Sequence, residues 1–517
     1  MTDTGATSRA AGTAVERDRT VAVVGAGTMG QGIAQVALVA GHPVRLYDAA
    51  PGRAAQAAES LLGRLDRLVA KGRLAQEDRD AAAARLHPAA GLDELADAAL
   101  VVEAIVERLD VKQELFTALE KVVDDDCLLA TNTSSLSITA IGGALRLPGR
   151  FVGMHFFNPA PLLPLVEVVS GFATDIASAT RAYETARAWG KTPVACADTP
   201  GFIVNRIARP FYAEAFAVYE EQAADPATID AVLRESGGFR MGAFELTDLI
   251  GHDVNEAVTR SVWEAFFQDP RFRPSLAQRR LVEAGMLGRK SGRGWYAYDE
   301  QGAVQRPEPH TAEPAEPPAY VVVEGDLAPF GELLEMIREA GIALREEDED
   351  DGTRLELPSG GQLAPADGQT SVEFRDVVYF DLALDYRKAT RIALAAGPDT
   401  SPETLDQAIG LFQALGKKVS VIGDVPGMIV ARTVARLIDL AYEAVAKGVA
   451  TEEDIDTAMR LGVNYPLGPV EWSRKLGRGW AYGVLQEMHE RDPSGRYAPS
   501  LAHYRHSYAD KQWENER

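Results

Sequence analysis

Cysteine is nearly absent from this chain of 517 residues: Cys127 and Cys196 are the whole complement. Two thiols cannot build a disulfide framework, and such sparing use suits a reducing compartment. Positive charge is also short. Against 76 Asp and Glu stand 53 Lys and Arg, a net charge of -23. That balance argues against nucleic acid or an anionic membrane as a general partner, and an anionic ligand needs a local basic patch. Residues 1–19 lack the apolar core of a signal peptide and read as a disordered tail. Val21 to Pro43 carries no Asp, Glu, Lys or Arg, but glycines at 25, 27, 30 and 32 favour strand, turn and helix over a membrane span. There is no His/Cys/Asp cluster at ligand spacing, so no metal is expected. The expectation is a soluble, cytoplasmic protein of about three domains at roughly 150 residues each.

Thr20-Val21-Ala22-Val23-Val24 is a short β-branched strand, followed at once by Gly25-Ala26-Gly27-Thr28-Met29-Gly30 and an apolar helix. This is G-x-G-x-x-G in its strand-to-helix setting. Gly25 serves the tight turn, Gly27 the approach of a pyrophosphate, and Gly30 the close packing of helix on strand. The helix N-terminus then offers its free N–H groups to phosphate. A second strand, Val44-Arg45-Leu46-Tyr47, ends at Asp48. An acid there can accept both ribose hydroxyls and repels a 2′-phosphate, which favours NAD over NADP.

Residues 53–86 read as two helices with a basic edge of Arg64, Arg67, Lys71 and Arg73. A solvated helix face and a cradle for the phosphates of an acyl carrier both fit. The strand Leu100-Val101-Val102-Glu103-Ala104-Ile105-Val106-Glu107 runs into a loop, and a helix over 111–122 carries Lys112 in its first turn. A cation there needs an anion, either a ligand or a surface ion pair. After the strand Leu128-Leu129-Ala130-Thr131, the run Asn132-Thr133-Ser134-Ser135-Leu136 suits a ligand contact or a helix N-cap equally.

Phe151-Val152-Gly153-Met154 reads as a buried strand delivering His155, and Leu165-Val166-Glu167-Val168-Val169 as a second. A carboxylate inside an apolar strand is costly unless paired, and His155 is the nearest candidate. An acid on one ring nitrogen fixes the tautomer and leaves the other nitrogen as a base. A structural histidine beside an unrelated buried ion pair is the alternative.

Taken together these strings resemble the L-3-hydroxyacyl-CoA dehydrogenase family. The resemblance rests on residues 24–30, Glu103–Glu107, Thr131–Leu136 and His155-Phe156-Phe157-Asn158-Pro159. It continues through Gly201-Phe202-Ile203-Val204-Asn205-Arg206, Gly288-Arg289-Lys290-Ser291-Gly292 and Gly294-Trp295-Tyr296, and so covers about residues 20–298. It implies a doubly wound α/β Rossmann domain (20–199) followed by an all-α domain (200–298). It implies NAD-dependent oxidation of (3S)-3-hydroxyacyl-CoA, with His155 as base, Glu167 orienting it, and Ser134 and Asn205 holding the substrate oxygens. Gly25, Gly27, Thr28, Met29, Gly30, Asp48, Glu107, Lys112, Ser134, Asn158 and Lys290 match cofactor positions. Lys71 falls where the family places a basic residue for coenzyme A; the resemblance does not extend to Arg64 or Arg67. A related dehydrogenase without CoA, or a non-catalytic member of the superfamily, are the competing readings. An acyl-CoA is the expected partner, with neither nucleic acid nor membrane.

Residues 299–318 read as a linker, rich in Pro, Glu and Ala from Arg306 to Pro318. Beyond it the sequence repeats. Asp198-Thr199-Pro200-Gly201-Phe202-Ile203-Val204-Asn205-Arg206 returns 226 positions later as Asp424-Val425-Pro426-Gly427-Met428-Ile429-Val430-Ala431-Arg432. A constant offset marks a duplicated helical domain over 424–517. The copy lacks the chemistry: Ala431 stands for Asn205, Asp381 for His155 and Ala393 for Glu167. Residues 319–423 are expected to be a degenerate, shortened relative of the nucleotide domain, with an exposed acidic loop at Glu346 to Asp351. Such a long form looks like the bacterial enzymes of phenylacetate breakdown, acting on 3-hydroxyadipyl-CoA, and also like 3-hydroxybutyryl-CoA dehydrogenases. The copy is expected to pack on the first helical domain, giving a monomer with an internal pseudo-dimer; a homo-oligomer is the other possibility.

Overall fold

The computed structural model describes residues 13–325, 331–347 and 353–509. The chain forms two compact units, Met1–Val204 with Gly448–Val463, and Asn205–Lys447 with Asn464–Arg517.

The first unit is built on an eight-stranded sheet. Its strands are β1 (Thr20–Val24), β2 (Val44–Tyr47), β3 (Leu86–Ala89), β4 (Ala98–Glu103), β5 (Leu128–Thr131), β6 (Phe151–Phe156), β7 (Leu165–Ser170) and β8 (Thr192–Ala197). The spatial order is β3-β2-β1-β4-β5-β6-β7-β8. Pairing is parallel except between β6 and β7. This is the doubly wound dinucleotide-binding order with an added antiparallel step. β1, β4 and β6 carry apolar residues on both faces, as a sheet covered by helices requires. Residues 13–19 correct the expected tail. Val15 is 3% exposed and its N–H donates to Thr185 Oγ1, so this residue anchors an otherwise mostly exposed segment to the core. Residues 1–12 lie outside the described ones.

The helix Glu452–Gly462, from the second copy, rests on β7 and β8 of this unit. Ala197 N–H donates to Val449 O at 2.8 Å. Gly462 permits the contact, since a Cβ there would meet Leu165 Cδ2 at 2.8 Å. The second helical copy is therefore not one contiguous body.

The second unit holds the first helical domain, a seven-stranded sheet and most of the second copy. The sheet order is Ala343–Glu347, Tyr320–Gly325, Thr353–Glu356, Gln362–Pro365, Val377–Phe380, Arg391–Ala396, Lys418–Ile422. Its last three strands begin 226 positions after β6, β7 and β8, and repeat their antiparallel and parallel pairings. The duplication thus reaches back from the helical domain into the sheet. Only the half bearing the glycine turn is replaced. The acidic run begins in the strand Ala343–Glu347, and residues 348–351 lie outside the described ones.

The helix Pro226–Glu235 packs on the strand Arg391–Ala396, where Ser236 Oγ donates to Arg391 O at 2.6 Å. Position 236 meets 391 here, as position 462 meets 165 in the first unit. Each copy's second helix thus covers the other half's sheet. The remaining helices of the two copies are also joined by ion pairs of buried arginines. Arg206 meets Glu443 at 2.9 Å, and Arg432, which corresponds to Arg206, meets Glu221 at 3.1 Å. The arginines correspond but the acids do not, since Glu443 matches Ala217 and Glu221 matches Lys447. The linker is pinned rather than loose. His310 N–H donates to Thr228 Oγ1, Ala312 N–H to Val419 O, and Ala315 N–H to Gln413 Oε1.

Candidate active site

The glycine turn follows β1. Gly25 has φ +104, and a Cβ there would lie 2.4 Å from Ala104 O. A Cβ on Gly30 would stand 1.7 Å from Gly25 O, so neither position tolerates a side chain. Around Gly27 nothing lies within 4 Å of an added Cβ, so the space in front of it is open. The helix Thr28–Ala40 begins with no side-chain cap and no acid in its first turn. Its first N–H groups and positive dipole end are therefore available to an anion. Asp48 closes the turn: Oδ2 accepts from Ala26 N–H at 2.8 Å and Oδ1 from Ala50 N–H at 2.9 Å. Each carboxylate oxygen keeps a second lone pair for a ribose hydroxyl. These residues fit a dinucleotide with a free 2′-hydroxyl.

At the ends of β4 and β5 lies a charge network. Glu103 is fully buried and accepts from Ile105 N–H at 2.6 Å, from Thr131 Oγ1 at 2.6 Å, and from the Lys112 ammonium at 2.5 Å. Lys112, only 1% exposed on the helix Leu109–Leu119, also lies 3.3 Å from Glu107. Glu107 Oε1 gathers the Thr133 hydroxyl and the N–H groups of Ser134 and Ser135. Burial alone would raise the Glu107 carboxyl. The Thr133 hydroxyl, the Lys112 charge and the Ser134 N–H outweigh it and hold the group below the usual carboxylate range. Lys112 is thus neither a surface ion pair nor turned outward; its charge is spent on two carboxylates that shape the Ser134 loop. Asn132 to Leu136 is not the helix cap either. Ser137 caps the helix Ile138–Gly142, while Asn132 Oδ1 accepts from Phe156 N–H at 2.8 Å. Glu103 was missed as an organising residue, although an acid ending an apolar strand is the signal that singled out Glu167.

β6 and β7 bring His155 and Glu167 face to face as Cα partners. Nδ1 of His155 stands 2.6 Å from Glu167 Oε2, and Glu167 Oε1 accepts from the N–H groups of Ile203 and Val204 at 3.0 and 2.9 Å. A carboxylate so held can only accept, so Nδ1 carries the ring proton and Nε2 presents its lone pair. The rings of Phe157 and Phe202 lie 4.5 and 5.8 Å from the imidazole centroid. Phe202 is held at φ 50, a left-handed conformation rare for an aromatic and typical of stored strain at a site. The turn recurs at Met428, φ 49, where the anchoring acid comes from the other strand: Asp381 accepts from Ile429, Val430 and Ala431 N–H. The copy keeps the anchor and loses the base.

Along one side of the first unit runs a groove of about 390 Å³ between Arg64, Arg67, Lys71 and Arg73 on one wall and Asn158–Leu162 on the other. Thr28 and Gly32 form part of its lining, so it borders the glycine turn. Lys71 and Asn158 are both exposed there, and Arg64, which the resemblance left out, lines the same wall. Burial, then the neighbouring Arg67, lowers the Arg64 guanidinium from its ordinary value. In the second unit, Asn205 sits half-buried on the helix Val204–Ile207, and Lys290 is exposed and lies 2.5 Å from Asp253.

The family described as 3-hydroxyacyl-CoA dehydrogenase, NAD binding domain, matches residues 20–199. Its C-terminal domain matches twice, over 201–298 and 427–511. The 3-hydroxybutyryl-CoA dehydrogenase reduced Rossmann-fold domain matches 358–426. The 3-hydroxyadipyl-CoA dehydrogenase of Escherichia coli K12 is 44% identical over 93% of this chain and 96% of its own. The 3-hydroxybutyryl-CoA dehydrogenase of Mycobacterium tuberculosis H37Rv is 40% identical and aligns over 98% of its length with 54% of this chain. Among solved structures, the 3-hydroxybutyryl-CoA dehydrogenase of Escherichia coli K12 is 41% identical with a TM-score of 0.86, covering 96% of this chain and 99% of that one.

Proposed function

The chain belongs to the 3-hydroxyacyl-CoA dehydrogenase family, NAD-dependent oxidoreductases, and we propose that it oxidises (3S)-3-hydroxyacyl-CoA to 3-oxoacyl-CoA with His155 as the base. The observation that carries this reading is the 2.6 Å pairing of His155 with a buried, doubly anchored Glu167 in the dinucleotide-binding unit. Its Nε2 takes the proton from the substrate 3-hydroxyl and returns it in the reverse reaction. Glu167 keeps the imidazole oriented and offsets the charge it gains. NAD, when bound, supplies the hydride acceptor. The Gly25–Gly30 turn, the helix start at Thr28 and Asp48 would hold it; Glu107, Asn158 and Lys290 complete the proposed set, and Lys112 acts through Glu107. Ser134 and Asn205 hold the substrate oxygens. Hydride transfer belongs to the cofactor, and the chain's part is to place the reacting groups and move the proton.

The basic groove at Arg64, Arg67, Lys71 and Arg73 is read as the seat of the coenzyme A phosphates. In a protein of net charge -23, such a concentration of cations has a local purpose. Nearly the whole chain is similar both to a 3-hydroxyadipyl-CoA dehydrogenase and to a solved 3-hydroxybutyryl-CoA dehydrogenase, and both thioesters are proposed as substrates. Two buried thiols suit the cytoplasm, and among the described residues no helix is long and apolar enough to cross a membrane. The test is consumption of NADH with acetoacetyl-CoA and with 3-oxoadipyl-CoA. Turnover no greater than that of His155→Ala with both thioesters would sink the reading.

A further inference from the structure

We propose that Arg209, assisted by the phenol of Tyr465, binds the terminal carboxylate of a dicarboxylic 3-hydroxyacyl-CoA. The inference rests on the reading above, which places the substrate's reacting end at Asn205.

Arg209 opens the helix Arg209–Glu220 and is 5% exposed. Its NH1 donates to Thr259 Oγ1 at 3.0 Å, and its guanidinium carbon lies 5.1 Å from the Tyr212 ring centroid. Its Nε is buried without a partner, and among the described residues no carboxylate pairs with it. Every other deeply buried arginine of the second unit has one: Arg206 has Glu443, Arg391 has Glu235, Arg432 has Glu221, and Arg436 has Asp439. An uncompensated buried cation is expensive, and burial holds this guanidinium below its ordinary value. Beside it the Tyr465 hydroxyl is also buried without a partner, in a residue 6% exposed. Tyr212 and Tyr465 are the titratable groups whose charge reaches Arg209. The cluster is a cation and phenols with no anion among them, which suits an anion brought from outside.

Its place fits the substrate. Asn205 and Arg209 are four residues apart on consecutive helical segments joined at Ala208, about 6 Å apart along a helical path. Three carbon–carbon bonds of ~1.5 Å separate C3 from the terminal carboxyl of a six-carbon diacid, which reaches about 4–5 Å with its oxygens. A four-carbon acyl chain ends too soon. The duplicate offers a control within the chain. Where it has lost Asn205 to Ala431 it has also lost Arg209 to Ala435 and Tyr212 to Ile438. Tyr465 itself comes from that duplicate, at the position matching Phe239, and the two rings pack at 5.1 Å. A copy without chemistry would thus supply one hydroxyl to the working copy's substrate.

The test uses the full-length protein and two ligands of equal length, adipyl-CoA and hexanoyl-CoA, which differ by a carboxylate against a methyl group. Binding is read by calorimetry, and kcat/KM is compared for the matching 3-hydroxy thioesters. The wild type is expected to favour the diacid by on the order of a hundredfold, the usual worth of a buried charge-assisted pair. Arg209→Met should abolish that ratio, and Tyr465→Phe should cut it several-fold while adding no cavity. A wild type indifferent to the carboxylate, or an Arg209→Met variant that weakens both ligands equally, overturns the proposal. If Arg209→Met fails to fold, Tyr465→Phe decides, and an unchanged ratio overturns it. Preference for adipyl-CoA in binding, with no turnover of any thioester, would refute the reaction and still support this site.

Discussion

His155 and Glu167 are Cα partners across the antiparallel pairing of β6 and β7, with Nδ1 2.6 Å from Oε2. Directly opposed residues in such a pair place their side chains on one face. The sheet itself therefore sets the geometry. His155→Ala should lower turnover by about 10²–10⁴-fold, the usual worth of a general base, and leave NAD affinity nearly unchanged. Glu167→Gln should lower it by about 10–100-fold as a positioning change. It should also reduce stability, because Glu167 holds the turn at Ile203 and Val204. Initial rates and thermal unfolding check both. A Glu167→Gln enzyme as fast as the wild type ends the positioning role.

Asp48 is tied to the glycine turn through Ala26 N–H. On the proposal that Asp48 accepts two ribose hydroxyls, its removal should raise the dissociation constant for NAD by about 10–100-fold. Asp48→Ala should also narrow the preference over NADP, since the charge that repels a 2′-phosphate is gone. Titration of intrinsic fluorescence with both dinucleotides measures this. An unaltered NAD affinity would falsify the ribose assignment.

Lys112 stands between Glu103 and Glu107 with 1% of its side chain exposed. Lys112→Met leaves a wholly buried carboxylate without its counter-charge, a change that costs about 3–5 kcal/mol. The midpoint of urea unfolding should fall accordingly, and the Lys112→Met, Glu103→Gln pair should recover part of it. Additive losses in the double variant would show that the two groups are not coupled.

The glycine turn was legible because its backbone demands are written in residue type, as the 1.7 Å clash at Gly30 makes plain. His155 and Glu167 were legible because an acid inside an apolar strand calls for a partner. Lys112 was ambiguous, since sequence does not say whether a first-turn lysine points inward. The reciprocal seating of Ser236 on Arg391 and Gly462 on Leu165 joins segments far apart in the chain, and no local pattern encodes it. Arg209 gave no signal at all, because its singularity is the lack of a partner once buried.

Cys127 and Cys196 are both buried. Burial pushes the Cys127 thiol up to about 12 and Cys196 well above its ordinary value. The thiolate is the reactive form, so raising these values removes it at neutral and mildly alkaline pH. The folded protein should release no colour from a thiol reagent at pH 8, and two equivalents after denaturation. Fast labelling of the native protein would show that one of these pockets opens.

The second copy's role as a fixed internal partner can be tested by cutting the chain. Residues 306–318 carry no helix or strand, yet His310 is hydrogen-bonded to the helical domain, Ala312 to the second sheet and Ala315 to the helix Pro402–Ala414. A protease should therefore cut there slowly. The fragments should still migrate together on gel filtration, because Arg206–Glu443 and Arg432–Glu221 are ion pairs whose arginines are 1% exposed. Replacing Arg206 and Arg432 with methionine removes these two ion pairs while keeping apolar volume, and Glu443 keeps Arg271 and Lys447. The nicked double variant should separate where the nicked wild type does not. Free separation of the nicked wild type, with the first fragment as stable as the whole chain, would mean that the duplicate is a tethered module rather than a built-in partner.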